Sequence, residues 1–199
     1  MIEIDPDMGV SALSTGIYVY DEAQRAVVAT ANMTRASSDP HLAVVNGNLL
    51  AVLLQMPTIV PSIDLFDIAF AGGTVSTLKW QRTVKLRVKR TGVTLTALGP
   101  YVYVIGGTTP RGDSYTGLEI LDTRDGSVFT AAESLTNENN NMIHNLLVGS
   151  TPNAIYVTGY TDNAPWVDVF SCGNSQVDPG EACDVHIPHC SQDCTRVVR

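Results

Sequence analysis

The chain has 199 residues, 44% of them hydrophobic and 16% charged, with a formal net charge of -8. That apolar share is ample for a packed core and argues against global disorder. The acidic balance, with a pI near 4.8, argues against nucleic acid as a general partner, because duplex binding depends on neutralising phosphates with Lys and Arg.

Read from the start, MIEIDPDMG has acids where a secretory signal needs a basic segment followed by an apolar one, so no signal peptide is visible. STGIYVYD and AVVATANM then alternate as strands do; further strands of this first unit would come from before Met1 or from the short IEI segment. HLAVVNG, NLLAVLL, SIDLFDI and TVSTLKW follow between His41 and Trp80, with hairpin turns expected at Asn46-Gly47 and Gly72-Gly73. NLLAVLL holds the longest apolar run, Leu49 to Leu54, far short of the ~20 residues a membrane-spanning helix needs, so no transmembrane segment is expected. VTLTALG, YVYVIGG, GLEILD and SVFTAAESL repeat the same four-strand order between Val93 and Leu135. MIHNLLVG, AIYVTGY and WVDVF, between Met142 and Phe170, lack a fourth strand.

One pattern ties these units together: apolar, any, apolar, apolar, Asp. It ends at Asp21, Asp67 and Asp122, and at Ser171 in a fourth copy, VDVFS, with spacings of 46, 55 and 49 residues. Repeats of ~40 to 50 residues made of strands and turns point to propeller-like blades. The expected fold is all-β, a partial β-propeller of four-stranded antiparallel blades over residues 1–171, two complete and two partial, plus a small disulfide-rich module over residues 172–199. Two full and two partial blades do not close a ring, so the expectation is the tail of a longer propeller or an array completed by a second chain.

The strand ending in Gly106-Gly107, the polar loop, LEILD and the turn into a final strand resemble the kelch repeat, over about residues 10–171. In that family each repeat is one blade and the diglycine closes its second strand. Leu53-Leu54 and Gly159-Tyr160 depart from the diglycine, and only Trp80 stands for the family's tryptophan. The resemblance implies binding of protein or glycan through loops on a propeller face. Candidate loops are Pro57 to Ser62, Thr108 to Tyr115 and Thr161 to Pro165. It also implies an alternative, a fragment of a secreted oxidase or glycan-processing enzyme whose catalytic residues lie elsewhere.

All four cysteines, Cys172, Cys183, Cys190 and Cys194, fall in the last 28 residues. Such a cluster reads as a disulfide-stapled module for an oxidising compartment, its pairing open among three possibilities. Its CGNSQVDPGEACD…C-x-x-x-C spacing resembles the cysteine-rich repeat of myxobacterial secreted and surface proteins, with Ser175 replacing that family's Gly. The chain is therefore expected to be extracellular or at the cell surface, with Met1 lying inside a longer polypeptide or behind a leader. Zinc held among Cys183, His186, His189, Cys190 and Cys194 is the alternative. Asp178, Glu181, Asp184 and Asp193 are calcium candidates, set against solvated turns.

The stretch from Lys79 to Arg90 holds six of the twelve basic residues. Lys85, Arg87 and Lys89 alternate with Val84, Leu86 and Val88, so a strand there would show one cationic and one apolar face. Such a face would bind an anionic polysaccharide or an acidic surface, or would simply guard an exposed edge. Arg111-Gly112-Asp113 sits in the loop TTPRGDSYTG, where an adhesion tripeptide would be displayed. Asn32-Met33-Thr34 is a glycosylation sequon only in a eukaryotic secretory pathway. His41 and His144 fall at matching places on the first strands of two blades, and Asp21, Asp67 and Asp122 read as turn formers. No nucleophile–base pair or three-ligand metal set stands out, so no enzyme activity and no cofactor are expected.

Overall fold

The computed structural model describes residues 2–5, 14–56, 59–134, 144–151, 154–160 and 165–171. They form fourteen strands. The first three are β1 (Ile2–Asp5), β2 (Ser14–Asp21) and β3 (Ala26–Ser37). Four more follow: β4 (His41–Val45), β5 (Leu49–Leu54), β6 (Ser62–Ala71) and β7 (Thr74–Lys85). Next come β8 (Thr94–Leu98), β9 (Tyr101–Ile105), β10 (Gly117–Asp122) and β11 (Val128–Ser134). The last are β12 (His144–Thr151), β13 (Ala154–Tyr160) and β14 (Pro165–Ser171).

Neighbours in sequence pair antiparallel in four separate sheets, β1-β2-β3, β4-β5-β6-β7, β8-β9-β10-β11 and β12-β13-β14. The four-stranded meanders coincide with the second and third sequence repeats. Ile2 to Asp5 supplies the extra strand of the first unit, pairing Ile4 with Ile17. The turns follow from residues that tolerate a left-handed backbone: Asn46 and Gly47 (φ 48° and 75°) join β4 to β5, and Gly72 and Gly73 (φ 61° and 85°) join β6 to β7. Gly106 and Gly107 (φ 66° and 99°) turn the chain out of β9. A Cβ on Gly106 would also meet the end of the Leu146 side chain on β12.

The chain divides into two compact units, residues 1–91 and 92–199. In the first, Ile17, Val19, Ala29 and Met33 of the β1–β3 sheet share a core with Leu50, Val52, Leu54, Phe66, Ile68 and Leu78 of the β4–β7 sheet. In the second, Tyr103, Ile105, Leu118 and Ile120 share a core with Ile155 and Val157 of β13. Each fully buried aliphatic side chain of this kind contributes ~1.5–3 kcal/mol, the dominant favourable term in each unit. The central strands are covered on both sides, since Ala51, Leu53, Ile63 and Leu65, alternating with the core residues of β5 and β6, are also fully buried.

Asp64 crosses the first of these sheet interfaces. Its carboxyl is fully buried and accepts hydrogen bonds from the Thr34 backbone N–H (2.7 Å) and hydroxyl (2.8 Å) on β3 and from the Thr83 hydroxyl on β7. A buried acid is tolerable only when its oxygens are satisfied in this way. Asp64→Ala should therefore lower unfolding free energy by about 2–3 kcal/mol in urea melts, whereas an effect below about 0.5 kcal/mol would mean that the link is incidental.

Candidate functional site

The loop between β9 and β10 is closed by its own backbone. Thr108 and Ser114 form an antiparallel bridge, Thr109 N–H donates to Asp113 C=O and Gly112 N–H to Thr109 C=O, both at 2.9 Å, and Tyr115 N–H donates to Gly107 C=O at 2.8 Å. Gly112 takes φ 91°, with open space around the position a Cβ would fill. Arg111, Gly112 and Asp113 are all exposed. A cation and a carboxylate two residues apart are thus held out on a loop whose base is anchored in two buried strands, a geometry suited to reading a partner's surface.

Lys85, Arg87 and Lys89 are exposed while Leu86 is buried and Val84 and Val88 are half-buried. The strand, however, stops at Lys85, where the sequence pattern predicts it to run on. Its partner β6 begins at Ser62, opposite Lys85, and Pro61 before it has no N–H to continue the ladder. Pro61 still accepts a hydrogen bond from Leu86 N–H at 3.0 Å. β7 is the edge strand of its sheet, so the position agrees with edge protection as well as with polyanion binding.

The repeated aspartates divide. Asp21 accepts from Ala23 and Gln24 N–H, and Asp122 from Arg124 N–H, at 2.8–3.0 Å, both as turn formers. Asp67 is not one, correcting that expectation: it lies within β6, paired with Leu49 and Lys79, and meets Gln81 Nε2 at 3.3 Å. Its strand continues for four residues to Ala71 because β7 is long enough to keep pairing with it. The Gln24 and Ala23 N–H groups hold the Asp21 carboxyl below the ordinary carboxylate range. The Arg124 guanidinium does the same for Asp122, while also donating to Tyr101 Oη at 2.8 Å and lying 5.2 Å from its ring centroid. These are satisfied structural acids. His41 lies 3.3 Å from Asp39, and His144, on β12, belongs to the other unit.

Among the described residues no three His, Cys, Asp or Glu side chains come together as metal ligands, and no helix is long and apolar enough to cross a membrane. Cys172, Cys183, Cys190 and Cys194, with the zinc and calcium candidates among them, lie outside the described residues, as do Pro57, Thr58 and residues 161–164.

Two features escape the sequence pattern. An open cleft of about 420 Å³ lies between the β2–β3 turn and the β6–β7 hairpin, lined by Val19, Tyr20, Asp21, Glu22, Phe70 and Val75 among others. Its mixed, largely polar lining, with exposed Phe70 and the Asp21 and Glu22 carboxylates, suits a cationic side chain. The second is the buried acid at the motif's unspecified position, where Asp64 and Glu119 both have no solvent exposure and Asp168 stands in the fourth copy. Three acids in four copies were the available signal; the burial of Asp64 and Glu119 had none.

These features define an all-β repeat protein assembled from blade-like antiparallel meanders. No protein-family model matches the sequence, and no curated protein matches it. Among solved structures the chain is similar to the β-propeller domain of Cps50 (Swd1) from Myceliophteria thermophila, with a TM-score of 0.49 and 16% identity. That match covers 80% of this chain and 46% of the other.

The Asp122–Arg124 pair has a pH signature. Because the folded pKa of Asp122 is depressed, its stabilisation is fully present above the unfolded value near ~3.9 and is lost as pH falls through the lower folded value. Urea melts from about pH 5 to about pH 2 should show Arg124→Leu losing stability less steeply than the native chain below about pH 4. Parallel curves would remove the pair from the account.

Proposed function

We propose that this chain is a non-catalytic recognition module, a partial propeller of kelch-like blades with a disulfide-bonded C-terminal segment, acting outside the cell or on its surface and binding protein through the loops that join its strands. The single observation that supports the reading is the Thr108–Tyr115 loop, with Arg111 and Asp113 exposed on a backbone closed by three hydrogen bonds. A pre-ordered loop binds with little loss of conformational entropy, which is the advantage of displaying recognition residues on a β scaffold. The four-cysteine cluster supports the oxidising location.

Integrin ectodomain immobilised on a sensor surface is the direct probe. The native chain should bind it, and Arg111→Ala combined with Asp113→Ala should weaken binding at least ~10-fold, as loss of paired hot-spot charges does. Absence of native binding, or equal binding by the variant, removes the loop from this reading.

The exposed cations favour a second reading, capture of anionic glycan along residues 85–89. On a heparin column, changing Lys85, Arg87 and Lys89 together to Ser should bring elution to lower salt. Unchanged elution would leave those residues as edge protection alone.

A further inference from the structure

One sheet interface in each unit is built by one rule. In the motif copies Ile17-Tyr-Val19, Ile63-Asp-Leu65 and Leu118-Glu-Ile120, the first and third positions point to one side of the sheet and the second and fourth to the other, and Val167 and Val169 hold the first and third positions of the fourth copy. Ile17 and Val19 share a core with Phe66, the fourth position of the next copy. Leu118 and Ile120 do the same with Ile155 and Val157 of the next sheet. Within each unit the first sheet thus covers the second with its first- and third-position face.

In the β12–β14 sheet the residues at those positions are exposed. Val167 and Val169 are 63% and 46% exposed, against 0% for Leu118 and Ile120 at the same positions. The surrounding residues keep register too: Tyr156 pairs with Val169 as Tyr103 pairs with Ile120, and Thr158 lies between Leu147 and Val167 as Ile105 lies between Thr94 and Leu118. Leu147 is 68% exposed, and Tyr160, on the same strand face as Tyr156, is exposed as well. This is one continuous apolar sheet face, in the register that one sheet earlier is a core.

The same rule names the complementary surface. Within each unit the second sheet receives the first on its second- and fourth-position face, and in the β1–β3 sheet that face carries Tyr18 and Tyr20, with Thr30 paired to Tyr18 and Asn32 to Gly16. Tyr18 lies over Gly16, its ring within 3 Å of where a Cβ would stand. Both tyrosines remain partly accessible, and Thr30 and Asn32 are exposed. At the matching positions of the second and third copies, Asp64, Phe66, Glu119 and Leu121 are fully buried.

We infer that a second copy of this chain seats its β1–β3 sheet on the Leu147–Tyr156–Val167–Val169 face of the β12–β14 sheet, head to tail, continuing between copies the packing that runs within each. Because the two surfaces differ, the contact is heterologous, and two copies joined twice would close on themselves.

Sedimentation equilibrium on the full chain at micromolar concentration should give twice the chain mass or a larger multiple. Val167→Asp and Tyr18→Arg should each reduce it to the single-chain mass, with far-ultraviolet circular dichroism and melting temperature unchanged; Leu147→Lys is the substitute should Val167→Asp fail to fold. An equimolar mixture of Val167→Asp and Tyr18→Arg should restore the dimer, since each supplies an intact copy of the face the other has lost. A single-chain mass for the native protein overturns the inference. So does a Tyr18→Arg protein that stays associated while Val167→Asp does not, which would mean that like faces meet, and so does a mixture that stays monomeric.

Discussion

A twisted antiparallel sheet with apolar side chains on both faces has no stable existence alone, and this protein's architecture follows from that. β5 and β9 are hydrophobic at every position rather than every second one, and β6 and β10 bury consecutive residues on both faces, so each needs a covering layer on two sides. The short motif sets which residues serve which side. Alternate residues of one strand thereby belong to different interfaces, and a substitution in a central strand acts on whichever neighbouring layer its parity selects.

Much of this was legible from residues. Period-two alternation located the strands of the second and third sheets, and Asn46-Gly47 and Gly72-Gly73 marked hairpins because both residues of each pair must adopt positive φ. Gly106-Gly107 read as a strand end, and the physical reason is the left-handed backbone that both residues adopt as the chain leaves β9.

What stayed hidden depended on partners distant in sequence. Asp67 read as a turn former since aspartate often is one, yet β7 on the far side of the hairpin keeps its strand extended. The run from Lys85 to Lys89 alternates like a strand throughout, but Pro61, more than twenty residues earlier, ends the ladder. Asp64 looked like an interchangeable position because its partner Thr34 is thirty residues away on another sheet. The cleft beside Phe70 is lined by two turns that no local window contains together. The candidate binding residues were easier, since Arg111, Gly112 and Asp113 are consecutive.

The Asp64–Thr34 link also bears on how this molecule was assembled over time. A repeat duplicated and inserted elsewhere would carry its acid into a hydrocarbon layer with Thr83 but without Thr34, leaving the carboxyl short of the donors on β3, so the second sheet travels safely only with the first. In this half of the chain the smallest transferable module is a seven-strand pair, and recombination within it should be purged where shuffling of whole pairs would survive.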